Sequence, residues 1–246
     1  MPNIIDFGLI FTQIPTLLAY LPVTLFITIF SMLLGVILGL MIAIIKMNKI
    51  PVLTQIAALF VSFIRGTPLL VQLYLSFYGL PILLRYINYF FATDFNINGL
   101  PAMLFVLIAF SFNEAAYNSE TIRAALQSVN KGQIEAAQSL GMTYSQVLRR
   151  IVIPEAFIVV LPNLGNTLIG LLKGTSLAFV CSVTEMTGRG KTLAGHSYRY
   201  FEVYISLALI YWALTILIEL LVKYLEKRLT ISDDKNTPSY RRGKWL

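Results

Sequence analysis

The chain has 246 residues, of which 57% are hydrophobic and only 13% charged. Soluble domains are about a quarter charged, so this composition excludes an ordinary water-soluble globule. The net charge of +7 does not point to nucleic acid, because the basic residues flank apolar runs and membrane topology accounts for them better.

Runs such as Leu21–Ile45 and Ser206–Val222 match the roughly 20 apolar residues needed to cross about 30 Å of hydrocarbon. Helices satisfy their own backbone groups in lipid, so the fold class expected is an all-α integral membrane protein in a bilayer. Cys181 is the sole cysteine and His196 the sole histidine, which excludes an internal disulfide and a histidine metal pair and argues against a cysteine metal site. The start, Met1-Pro2-Asn3-Ile4-Ile5-Asp6, has no basic leader, and no cleaved signal peptide is expected.

In chain order, Asp6–Tyr20 is short and broken by Pro15, and is expected to lie as a helix on the membrane surface. Residues 1–20 form this first segment. The membrane domain then covers 21–228, and 229–246 is a basic, cytoplasmic tail. Leu21–Ile45 is the first of five transmembrane helices. Its Gly35, Gly39 and Ala43 form a small-residue stripe suited to close helix packing, read as contact within the subunit. Val52–Leu84 is too long for one straight span and is interrupted at Arg65-Gly66-Thr67-Pro68, where proline removes a backbone donor. Arg85–Gly99 reads as an aromatic interface loop and Leu100–Tyr117 as the third span. Asn118–Pro154 reads as a polar hairpin and Glu155–Leu172 as a short span broken at Pro162. Lys173–Tyr200 reads as a Gly-rich connection holding Glu185, Arg189 and a solvated His196. Phe201–Val222 is the fifth span.

Placing the hairpin inside the cell puts thirteen Lys and Arg on that side and four outside. This predicts five crossings with the amino terminus outside and the carboxyl terminus cytoplasmic.

The hairpin carries its own start and stop signals. Asn130 with Gln133, and Thr143 with Gln146, have capping-box spacing, and Gly141 suits a left-handed stop. Ile134, Ala137 and Leu140 share a face, and Glu135 lies in the first turn, where the helix dipole favours an anion. Pro154 is expected to end the second helix. Two short helices joined at a glycine make a stiff knob, suited to docking and to passing displacement into the neighbouring spans.

Polar residues in the spans form a second set of candidates. Glu114 at depth either meets the ammonium of a substrate, pairs with Arg65 or Lys173, or sits near the rim. Arg65 either holds a substrate carboxylate or clamps helices at the proline break, and the break's need for repair favours the clamp. Lys173, Thr175 and Ser176 lie at a broken segment and are pathway candidates. Thr67, Gln72, Asn118, Asn163 and Asn166 are further candidates, each also suited to interhelical hydrogen bonds.

Three segments carry a family resemblance. Glu135-Ala136-Ala137, then Gly141, then Ile151-Val152-Ile153-Pro154 resembles the EAA loop of ABC importer permeases, with Ile153 where leucine is usual. Phe63–Leu73 and Leu172–Ala178 resemble segments of the polar amino-acid branch, with Gly174 replacing a common aspartate. Glu120 and Arg123 also fit, and 162–166 with 172–178 is similar to the cystine-type members. The resemblance covers roughly residues 20–228 and implies a type I importer fold in a bacterial cytoplasmic membrane.

It further implies that Gln133, Glu135, Ala136, Ala137, Leu140, Gly141 and Pro154 couple to two ATP-binding subunits. A second permease copy or paralogue and an external amino-acid-binding protein would complete the complex. ATP and magnesium would be bound by the partners and no cofactor by this chain, which has no Gly-rich phosphate loop and is not itself an enzyme. The competing readings are a secondary transporter or passive channel and an intramembrane hydrolase. The first would be expected to show internal repeats, which are absent, and the second a Gly-x-Ser-x-Gly elbow, which is also absent.

Overall fold

The computed structural model describes residues 5–97 and 99–229, and among these the secondary structure is helical throughout. Except for Leu229, the expected basic tail lies outside the described residues. Among the described residues, four helical stretches are long and apolar enough to cross a membrane: Leu21–Met47, Leu69–Phe91, Tyr144–Cys181 and Tyr200–Leu229. The third expected span, Leu100–Tyr117, lies in Ala102–Ser128, which is as long as Leu21–Met47 but carries Asn113, Glu114 and Asn118; the helix runs on through residues 118–128, expected in the hairpin, because no glycine or proline interrupts it there.

The bundle is built on α2 (Leu21–Met47) and α6 (Ala102–Ser128). The stripe on α2 faces α6. A Cβ at Gly35 would lie 2.4 Å from Glu114 Cβ, and one at Gly39 would lie 3.0 Å from the Ser119 nitrogen. Contacts on the two helices advance together, so α2 and α6 run parallel. Backbones this close gain dispersion contacts that larger side chains would block. Beyond the apolar span, Glu120 bridges the pair, accepting from Lys46 and, at 2.6 Å, from Arg123. Burial opposes ionisation of Glu120, but the hydrogen bonds and charges of Lys46 and Arg123 outweigh it and hold the carboxyl below its ordinary range.

α3 (Leu53–Gly66) stops at the expected break, and α4 (Leu69–Tyr74) restarts behind Pro68. Pro68 cannot donate to the Ile64 carbonyl. Gln72 substitutes for it, its Nε2 donating to Ile64 O at 2.7 Å and to Thr67 O and Oγ1 at 3.0 Å. Asn113 Nδ2 in turn donates to Gln72 Oε1 at 2.9 Å, which ties the break to α6. The helix then passes through a π turn, Leu75–Gly79, into α5 (Leu80–Phe91). Tyr86, Tyr89, Phe90 and Phe91 therefore lie on a helix, not in the expected loop, because no glycine or proline stops the chain before Ala92 turns left-handed.

α9 (Ile153–Gly174) is a full span that continues through Pro162. A single missing donor inside a packed membrane helix is tolerated, so the expected break does not form. The expected connection 173–200 is also largely helical. A 3₁₀ stretch, Thr175–Cys181, leads to α10 (Met186–Ser197), which ends with exposed His196 in its last turn. Gly190 serves close packing, since a Cβ there would lie 2.6 Å from Leu207 Cδ1. Buried Glu185 caps α10 by accepting from Gly188 N at 2.7 Å and Thr187 N at 2.9 Å.

α1 (Phe7–Leu18) contains Pro15 without ending there and packs with α10 and α11 (Tyr200–Leu229) around Leu17, Met186, Val203 and Leu207. Ser206 Oγ donates to Ile10 O at 2.7 Å across this contact.

Two outcomes follow from these contacts. Gly35→Ala overpacks the α2–α6 seam and costs about 1–3 kcal/mol in unfolding from detergent micelles, whereas Gly79→Ala, with nothing within 4 Å of the added Cβ, changes little. Gln72→Leu strands two carbonyls and the Asn113 amide and costs roughly 1–3 kcal/mol or more. Adding Asn113→Leu costs less than the sum of the single changes, because the two amides share a bond.

Candidate functional site

The hairpin begins at Asn130, whose side chain accepts from the Gly132 N–H at 2.8 Å. The expected reciprocal bond from Gln133 is not among those of the described residues. The short Asn side chain reaches the second amide of α7 (Lys131–Ser139), and Gln133 stays exposed. α7 ends at Gly141, at φ +81°, with the Met142 N–H on Ala137 O at 3.2 Å and the Gly141 N–H on Gln138 O at 2.9 Å. This paired closure is the glycine-terminated stop that the sequence leads one to expect.

Thr143 and Gln146 form the reciprocal box opening α8 (Tyr144–Val147), with Thr143 N–H on Gln146 Oε1 at 2.8 Å. Pro154 does not end this arm. The backbone widens through a π turn, Leu148–Val152, and runs on into α9. Pro154 lacks a donor and its ring crowds the carbonyl four residues back; the wider turn absorbs both.

Gln133, Glu135, Ala136 and Leu140 are exposed on the hairpin, while Ala137 and Val147 are buried inside it. Ile134 and Val152 pack on the cluster of Ala43, Ile122, Ala125 and Val129, which anchors the knob to α2 and α6. The face expected for Ile134, Ala137 and Leu140 splits, because Leu140 is the C-cap residue, past the end of the helix, and is 85% exposed. Tyr144 beside it is 74% exposed.

The second feature is a cleft of about 410 Å³. Thr67, Pro68 and Leu69 contribute the α3–α4 break. Phe110, Asn113, Glu114 and Tyr117 form one face of α6 at helical spacing, and Thr167, Gly170, Leu171 and Gly174 form the matching face of α9. Glu114 is 6% exposed, and its Oε2 has no hydrogen-bond partner. It forms no ion pair with Arg65 or Lys173, so neither structural pairing is realised. The Arg65 guanidinium instead lies 5.4 Å over the Tyr117 ring, joining the end of α3 to α6.

Of the expected pathway residues, Thr67 and Glu114 line this cleft, Gln72 backs Thr67, and Arg65 rests on the lining Tyr117. Asn118 is buried with its Nδ2 3.9 Å from Met32 Sδ on α2. Asn163 is exposed, and Asn166 lines a separate groove with Glu219, Lys223 and Glu226 of α11. Lys173 is exposed, Ser176 half-buried, and buried Thr175 donates to Leu172 O at 2.7 Å; none of these three lines the cleft. Sequence reasoning missed Asn113, Tyr117, Thr167 and Gly170. Asn113 and Tyr117 share the helical face of Glu114, and Thr167 stands one turn before Gly170 and Leu171, so helical periodicity could have found them.

Comparison with known proteins identifies the family of the chain. Residues 35–231 match the family described as binding-protein-dependent transport system inner membrane component. The probable amino-acid permease protein YxeN of Bacillus subtilis (strain 168) is 44% identical over 228 residues, covering 93% of this chain and 97% of that protein. The L-cystine transport system permease protein TcyL of the same organism is 42% identical, with 93% of each chain covered. A crystal structure of an amino acid ABC transporter with histidines superposes at a TM-score of 0.77 with 36% identity, over 91% of this chain and 99% of that one. The MetNI methionine ABC transporter, at 18% identity and a TM-score of 0.67, shares the fold, over 89% of this chain and 99% of that one. With four-fifths of its length inside the family match, the chain belongs to the inner membrane components of binding-protein-dependent transport systems.

Proposed function

We propose that this chain is the permease subunit of an ATP-driven importer for a polar amino acid and that the hairpin couples it to ATP-binding subunits. The observation that carries this reading is the unbroken helical run Tyr144–Cys181, which begins in the hairpin and includes the α9 wall of the cleft. Force on Glu135, Ala136 and Leu140 crosses one short corner at Gly141–Thr143 and from Tyr144 onward reaches the cleft with no further loop, which suits switching between two access states. Two ATP-binding subunits supply ATP and magnesium, and hydrolysis is theirs. A second permease, a copy or a paralogue, and an external binding protein complete the assembly.

The amino terminus faces outward and the carboxyl terminus inward in the bacterial membrane. The parallel run of α2 and α6 supports this, because it brings Lys46, Arg123 and the hairpin out at one end, where the positive-inside rule expects them. Glu114 holds the substrate ammonium in the cleft, where its oxygen lacks a protein partner. Relatives that act on L-cystine and arginine support a polar amino acid, and TcyL at 42% identity supports cystine among them.

Two variants test this. In reconstituted vesicles Glu135→Lys keeps the chain in the membrane but abolishes substrate-stimulated ATP hydrolysis and uptake. Glu114→Gln leaves basal hydrolysis intact and raises the substrate concentration needed for half-maximal stimulation by at least tenfold. Normal uptake by the first variant rules out coupling through the hairpin, and an unchanged concentration dependence in the second removes Glu114 from the substrate site.

A further inference from the structure

A wholly apolar groove of about 230 Å³ runs between α2, α6 and α9 and stays clear of the polar cleft. Leu40 on α2, Ile122 and Ala125 on α6, and Ile153, Phe157 and Val160 on α9 line it. Leu40, Ile153 and Phe157 are between 42% and 49% exposed, so the groove is open along its length. All its walls are membrane-spanning helices, and its natural filling is hydrocarbon.

The polar end of the groove is marked by charge. Arg149 and Arg150 stand in the π turn that leads into Ile153, about one helical turn before the first α9 residue that lines the groove. Both are exposed, and among the described residues neither forms an ion pair or a hydrogen bond through its side chain. Glu120, the nearest-placed acid on α6 by sequence, is already taken by Lys46 and Arg123. Two free guanidinium forks above an apolar slot match a phosphate above an acyl chain.

We propose that this groove is a binding site for an anionic phospholipid, with one acyl chain between α2, α6 and α9 and the phosphate on Arg149 and Arg150. The site makes no use of Glu114 or of Glu135, Ala136 and Leu140, although its arginines stand in the second arm of the hairpin, so the test below separates lipid binding from contact with ATP-binding subunits.

The test is lipid retention by the full-length, delipidated chain titrated with phosphatidylglycerol or phosphatidylcholine and read by native mass spectrometry. The wild type retains phosphatidylglycerol in preference, and Arg149→Gln with Arg150→Gln weakens that retention by roughly thirtyfold, at about fivefold per arginine. Leu40→Trp, which fills an exposed edge of the groove, lowers retention of both lipids. Thermal unfolding of each variant reports whether it is folded. Equal retention of the two lipids by the wild type, or a preference that survives both arginine changes, overturns the site. So does a disulfide between two copies carrying Phe157→Cys in native membranes, which places a second chain over the groove. Loss of ATP-binding subunits with lipid preference intact assigns the arginines to that contact and also overturns it.

Discussion

Backbone groups that cannot reach water must find partners inside the bundle, and two prolines set where that demand falls. Pro68 leaves the Ile64 carbonyl without its helical donor, and Gln72 answers it from the next turn while Asn113 holds Gln72 from α6. The repaired break gives the cleft its Thr67–Leu69 edge. Pro154 makes the same demand beside the hairpin, and there the answer is a change of helical pitch. One proline therefore produces an opening and the other a continuous junction, and the difference lies in what surrounds each.

The α2–α6 seam provides the fixed frame against which both are arranged. Gly35 and Gly39 let the backbones approach until Glu114 and Ser119 lie against them. That approach holds the α6 face with Asn113, Glu114 and Tyr117 toward the break and α9. The same helix emerges beyond the apolar span to form the Lys46–Glu120–Arg123 cluster. Packing and polar chemistry are thus carried by adjacent faces of a single helix. This explains why α6 is the least uniformly apolar of the long helices.

Local signals were legible in the chain. The Thr143–Gln146 box, the Gly141 stop and the break before Pro68 all depend on residues within one or two turns, and all appear where the sequence places them. The role of the glycine stripe was readable too, because spacing alone defines it. What failed was inference from glycine and proline taken singly. The glycines of α10 looked like slack, and instead Gly190 admits Leu207 and Val203 to close contact. Pro15 and Pro162 looked like breaks, but packed helices carry them. Nor could spacing reveal that Asn118 turns toward Met32 while Glu114 turns toward the cleft, since adjacent faces of one helix differ only in what lies opposite.

The run from Tyr144 to Cys181 spans 38 residues, so it measures roughly 55 Å at about 1.5 Å per residue. A beam of that length amplifies angle into distance. Pivoting it by ~5° about its midpoint swings each tip by roughly 2 Å, a fair part of one helical pitch of about 5.4 Å. Bending such a beam is harder than turning it, so compliance gathers at its two joints. These are the Gly141 corner at one tip and Ser182, with its φ of 62°, at the other.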